Sequence, residues 1–237
     1  MRIIRTLLHQ RLTTALLALA VLFAGWQCPA RAQDFTPDNA WKTQGTPAGR
    51  VVWQHVGRVY LNPSNGQFVY AGYLVHIDAI DSSLFDGSPS ESTAYFTFST
   101  GVAHPAQLTP LPPNNDVDLF LVSEGTFNVY YNAVPSGDWS NPASFSSGKL
   151  VATFARKESL LVEIGPVGFH NLSETLMSSH NFNFDGQTYN FERIAPHGIT
   201  FSQFFSTAPQ GSGVTDFPAA LAVAGVVWAV GTPEERH

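Results

Sequence analysis

Between Asp116 and Asn132 the chain reads DVDLFLVSEGTFNVYYN, and at period two one row holds Val117, Leu119, Leu121, Phe127, Val129 and Tyr131. The other row mixes Asp118, Phe120, Val122, Glu124, Asn128 and Tyr130. Successive side chains on a strand point to opposite faces, so this pattern predicts a strand or hairpin with one mostly apolar face. Ser123-Glu124-Gly125-Thr126 either turns it into two strands or bulges a single one.

Most of the chain after residue 50 repeats that alternation. Val51 to Leu61 sets Val51, Trp53, His55, Gly57 and Val59 against Val52, Gln54, Val56, Arg58 and Tyr60. Asn62-Pro63-Ser64-Asn65-Gly66 is a strong turn, and Gln67 to Ile80 is the return strand. Ser92 to Gly101, Lys149 to Ala155, Leu160 to Ile164 and Ile199 to Phe205 also read as strands, with a division or bulge at Arg156-Lys157-Glu158. Asp185-Gly186, between Phe182-Phe184 and Thr188-Phe191, is the pair that two-residue hairpins favour. Gly165 to Ser179 fits one or two helical turns or a further strand. Ala219 to Val230 is apolar on both rows and is expected as a buried strand, with a buried helix as the alternative.

Loops separate these runs. His104 to Asn115 carries Pro105, Pro110, Pro112 and Pro113, so it is expected outside any sheet, because proline lacks the ladder donor. Ala133 to Gly148 is a second long loop, and Ala208 to Gly213 reads as a flexible link. The sum is an all-β, antiparallel fold, a β-barrel or barrel-like sandwich of about ten strands. Four segments follow: a signal peptide at 1–32, an irregular arm at 33–49, a single all-β domain at 50–231 and a tail at 232–237.

The first segment changes the compartment. Arg2, Arg5 and Arg11 precede the apolar run Leu12 to Gly25, and Ala30-Arg31-Ala32 is a small-x-small cleavage signature. Export by a Sec-type route follows, to the periplasm or the medium, with a mature start at Gln33. Cys28, the chain's one cysteine, leaves with the signal, which excludes disulfides and thiolate chemistry in the mature chain. So do Arg2, Arg5, Arg11 and Arg31, leaving eight basic against eighteen acidic residues. That balance argues against nucleic acid as a partner. No integral membrane span is expected in the mature chain, since every apolar run is shorter than the about 20 residues a spanning helix needs.

The common catalytic strings are absent: no G-x-S-x-G, H-E-x-x-H, G-x-x-x-x-G-K-[ST] or G-x-G-x-x-G. Four weaker constellations remain. His170, Glu174, His180 and His197, with Glu192 nearby, offer imidazole and carboxylate ligands for a divalent metal. His76 and Asp78 share one strand row, as a histidine oriented by a carboxylate would, with His55 on the partner strand as a possible neighbour. Asp78, Asp81, Asp86 and Glu91 in one loop, and Asn114, Asn115, Asp116 and Asp118 in another, could supply calcium oxygens, although turns use the same residues. Tyr73, Tyr95, Tyr130 and Trp139 could present rings to a carbohydrate or another flat small molecule. The expectation is an exported binding or surface-structural module. The alternative is a small β-barrel enzyme, metal-assisted, working as a hydrolase, isomerase or cupin-like oxygenase through the His170–His197 region.

Overall fold

The computed structural model describes residues 45–103, 108–110, 118–120 and 125–231; for 108–110, 118–120 and Glu158 only the backbone is described. The signal segment, most of the 33–49 arm, the loop of Asn114, Asn115 and Asp116, and the 232–237 tail lie outside the described residues.

Eight strands close into an antiparallel barrel. In ring order they are β1 (Val51–Asn62), β2 (Gln67–Ile77), β3 (Phe96–Ala103), β6 (Thr126–Tyr131), β7 (Lys149–Ile164), β8 (Val167–Ser179), β11 (Ile199–Ser206) and β13 (Phe217–Ala229). The ring shuts where β7 meets β8, from Ala152 opposite Ser179 to Ile164 opposite Val167. Closure removes the unpaired edges that an open sheet would expose. β4 (Leu108–Pro110) and β5 (Asp118–Phe120) extend the sheet beyond β7, and β12 (Gln210–Val214) pairs with β13. A separate hairpin joins β9 (Phe182–Phe184) to β10 (Gln187–Tyr189), followed by the short helix α1 (Phe191–Ile194).

The closed barrel is one of the two forms that the alternation allows, the other being a sandwich. At Asp185-Gly186 both residues have positive φ, 48° and 75°, as that turn requires. Val167–Ser179, most of the Gly165 to Ser179 stretch, is strand β8; Ala219 to Val230 lies almost wholly in strand β13, but it is not buried on both rows, since Ala222, Ala224 and Trp228 are exposed. Lys149 to Ile164 is one strand bulged between Arg156 and Glu158, one of the two forms expected there. Three other expectations need correction. Leu108–Pro110 is a strand despite its proline, which is tolerated because β4 is the last strand on its side of the sheet. The Ala208 to Gly213 link is largely strand β12. After Tyr189 the chain turns into α1, capped by Asn190, whose side chain accepts from the Glu192 amide at 2.7 Å.

The two ends of the barrel differ. At the end where β1 starts, Trp53 is fully buried with its ring 6.1 Å from Phe127, 5.6 Å from Phe154, 5.8 Å from Phe191 and 6.0 Å from Phe201. Phe191 comes from α1, so the helix and the β9–β10 hairpin plug this end. Gly57 and Gly72 sit opposite each other in the β1–β2 register, and the Phe98 ring lies within 3 Å of where a Cβ on either would be. Both positions therefore need glycine for close approach. Outside the barrel the 133–148 loop folds back on β1 and β2, with Phe145 packed on Tyr60, Val69 and Ala71.

At the other end the rim is stitched by hydrogen bonds between turns. Asn62 donates through Nδ2 to the Asp216 carbonyl at 2.9 Å, and Thr207 Oγ1 donates to the Gly165 carbonyl at 2.8 Å. This end stays open.

Candidate functional site

The open end leads into a cavity of about 350 Å³ inside the barrel. Its walls are apolar: Val59, Leu161, Leu172, Phe205, Leu221 and Val223 all face it. They come from the inward rows of β1, β7, β8, β11 and β13, so strand alternation alone places them there. Deeper in, polar groups gather among Phe127 and Phe201: Tyr70, Arg156, His170, Glu174 and Gln203.

Gln203 is the hub. Its Nε2 donates to His170 Nδ1 at 2.9 Å, and its Oε1 accepts from the Tyr70 hydroxyl at 3.2 Å and from His55 Nε2 at 3.1 Å. With Nδ1 of His170 accepting, the ring's proton lies on Nε2, which donates to Ser159 Oγ at 2.7 Å. Burial pushes His170 down to about 3, with the Arg156 guanidinium adding to the effect, and pushes His55 down to about 4 against the Gln203 bond. Both rings are neutral at physiological pH. The Tyr70 hydroxyl is held well above its ordinary value, by burial first and by Glu174 second.

Arg156 and Glu174 lie deepest, opposite each other in the β7–β8 register. Arg156 Nε is 3.8 Å from Glu174 Oε1, with side-chain exposures of 4% and 0%. At that distance the pair attract but do not hydrogen-bond. Arg156 Nε and both carboxylate oxygens of Glu174 have no hydrogen-bond partner among the described residues. Burial pushes Glu174 up to about 8, outweighing the attraction of Arg156. Gly125 lies beside this arginine, where a Cβ would sit in ordinary contact 3.5 Å from Nη1, so it is the backbone at φ 141° that favours glycine there.

The four residues considered for a metal do not share a site. His170 and Glu174 face the lumen together, two positions apart on one inward row, while His180 and His197 are exposed at the plugged end. Among the described residues no group of three or more His, Cys, Asp or Glu side chains could hold a metal ion. His76 is exposed on the outside of β2, and Asp78 pairs with Arg50 at 3.7 Å. His55 lies inside the barrel on the inward row of Trp53, not beside His76, which pairs with Gln54 on the outward row. The aromatic set also divides. Tyr73 and Trp139 pack together outside the barrel, 5.9 Å apart, with Arg58 4.5 Å above the Trp139 ring. Tyr95 packs on Phe184 at 5.3 Å, and Tyr130 is half-buried on β6. Among the described residues no helix is long and apolar enough to cross a membrane.

Arg156 and Gln203 escaped the sequence reading as site residues. Gln203 carried a signal, a lone amide in the inward row Ile199, Phe201, Gln203 and Phe205. Arg156 did not, because the bulge beside it breaks the period that would show which way it faces.

The buried titrating groups predict a stability maximum. Below pH 6.5 the unfolded chain protonates its histidines while folded His55 and His170 stay neutral, so acidification destabilises down to about 4 and about 3. Glu174 acts oppositely. Between 4.5 and about 8 the folded chain holds the extra proton, so stability is lost as pH rises through that window. Two histidines outweigh one glutamate below 6.5, and only Glu174 acts from there to 8. Urea midpoints across pH 4.5 to 9 are therefore expected to peak near 6.5, each group contributing up to about 1.4 kcal/mol per pH unit. Glu174→Gln should remove the alkaline fall and steepen the acid one. A wild-type midpoint that stays flat, or keeps rising to pH 8, would refute the assigned protonation states.

Searches against protein-family models, curated proteins and solved structures found no match to this chain.

Proposed function

We propose that this protein is an exported binding protein that takes a small, largely apolar molecule into the barrel lumen. The observation that carries the reading is the one-ended cavity itself, apolar along its walls and polar at its deep end. Ligand sites are usually concave, mostly apolar and supplied with a few convergent polar groups, and roughly 300–1,000 Å³ is their ordinary range. The export half rests on the 1–32 leader of the sequence. Two of the outer aromatic residues, Tyr73 and Trp139, are packed on the cluster of Tyr60, Val69, Ala71 and Phe145 rather than set around a groove.

Filling the cavity tests this. Val223 lines the lumen and is itself buried. An environment-sensitive naphthylamine dye should bind the wild-type protein one-to-one and fluoresce more strongly. Val223→Trp should weaken that binding at least tenfold while the melting curve remains cooperative. Equal dye binding by both proteins would place the dye elsewhere and sink the lumen reading. Leu221→Trp, higher on the same wall, provides a second blocking variant should Val223→Trp fail to fold.

A further inference from the structure

We propose that the lumen binds medium-chain carboxylic acids head-first, the carboxylate accepting from Arg156 and sharing a proton with Glu174. This rests on the lumen reading above and adds the chemistry of the ligand's head.

Three observations carry it. First, Arg156 is the one Lys or Arg side chain lining the cavity among the described residues, and it lies at the deep end. Its Nε donor is buried without a partner there. Second, Glu174 faces the same space, wholly buried, with neither oxygen hydrogen-bonded among the described residues. A carboxylate with no donors on its oxygens is costly in an apolar setting, and protonation is the cheaper state. A protonated Glu174 leaves the guanidinium's charge uncompensated. An incoming carboxylate then completes both groups, accepting N–H from Arg156 and O–H from Glu174. Third, the way in is apolar, so a hydrocarbon tail fills the walls between rim and floor.

The remaining titratable groups facing the lumen do not compete. His170 on β8 and His55 on β1 are neutral and committed to Gln203, and Tyr70 on β2 donates to the same amide. Glu163 on β7 lies near the rim, away from the deep pair, next to the Ile164–Val167 turn. No covalent step is involved. Two carboxyl groups, one proton and one guanidinium make a site with no net charge, which suits a low-dielectric interior.

The test compares decanoate, decanol and decyltrimethylammonium by calorimetric titration of residues 33–237. Decanoate should bind wild type at least tenfold more tightly than decanol at pH 7, and the cation should bind most weakly. Above pH 8, where Glu174 ionises, decanoate affinity should fall about tenfold per pH unit, because two carboxylates then face each other. Glu174→Gln keeps a donor that cannot ionise, so its decanoate affinity should stay level from pH 7 to 9. Arg156→Gln should erase the preference for decanoate over decanol; if that variant unfolds, the Glu174→Gln pH profile still decides the matter. Equal binding of decanoate and decanol, or a preference for the cation, would overturn the head-group assignment while leaving the lumen reading intact. A Glu174→Gln profile falling in parallel with wild type would overturn it too. Absence of binding by all three ligands would overturn both readings.

Discussion

Truncating Trp53 to alanine is expected to destabilise the barrel by about 4 kcal/mol, near the middle of the range for large aromatic side chains removed from a core. The ring is fully buried and contacts four other aromatic rings, from β6, β7, α1 and β11. Its loss leaves a cavity that rigid strands on a closed ring cannot collapse to fill. The same truncation also unseats Phe191, so α1 should lose its hold on the barrel end. Urea unfolding gives the loss directly, and hydrogen exchange at residues 191–195 reports the helix. Trp53→Phe should cost much less, because Trp53 Nε1 has no hydrogen-bond partner among the described residues and gives up nothing polar. A Trp53→Ala loss below about 1 kcal/mol would mean that the plugged end does not hold the barrel together.

The second large effect concerns the Arg156–Glu174 pair and has two signs. At pH 9, above the value of about 8 for Glu174, Glu174→Leu should cost about 3 kcal/mol, because it leaves a buried guanidinium without its counter-charge. The double variant Arg156→Met with Glu174→Leu should recover that loss and equal or exceed wild-type stability, by up to about 4 kcal/mol. Once Glu174 is ionised, two opposite charges at 3.8 Å with no hydrogen bond between them stabilise little against their desolvation. Well-packed apolar side chains at the same positions avoid that cost. The double variant should also lose its preference for decanoate over decanol. Denaturant midpoints of the two singles and the double close the cycle. A double variant as unstable as the sum of its singles would show that the pair is structural, and the site would lose its rationale.

Much of the fold was legible along the chain, because it was written locally. The Asn62–Gly66 turn fixes β1 against β2, and Asp185-Gly186 fixes β9 against β10, through backbone preferences a few residues long. β13 announced itself as a strand by its apolar rows, but not as a strand buried on both: its inward row faces the lumen, while Ala222, Ala224 and Trp228 on the outward row are exposed. What escaped was set by distant partners. β12 is strand because β13 offers it an edge, and no period in Gln210–Val214 says so. β4 can carry Pro110 because, among the described residues, no strand pairs beyond it. Closure itself depends on β7 meeting β8 after the register shift at Arg156, and alternation is identical in a sandwich.

The site was legible in halves. His170 and Glu174 drew attention as metal ligands, and their real relation, four apart on one inward row of β8, is a simple consequence of strand period. The partners that give them meaning sit on other strands. Gln203 reaches His170 from β11, Arg156 reaches Glu174 from β7, and Tyr70 comes from β2. Sequence spacing carries no information on which strands become neighbours in a ring. His180 and His197 looked equivalent to His170 as residues, but they belong to turns at the plugged end.

The most direct measurement is a nitrogen–proton correlation spectrum of uniformly labelled protein titrated with decanoate at pH 7. Saturable one-to-one shifts at the Arg156 Nε–H and the Gln203 side-chain amide are predicted, with backbone shifts at Leu172, Glu174 and Val223. Trp139 and Ser144 in the outer loop should stay still. Shifts confined to the outer loop, or spread without saturation while the lumen resonances remain fixed, would contradict a ligand site inside the barrel.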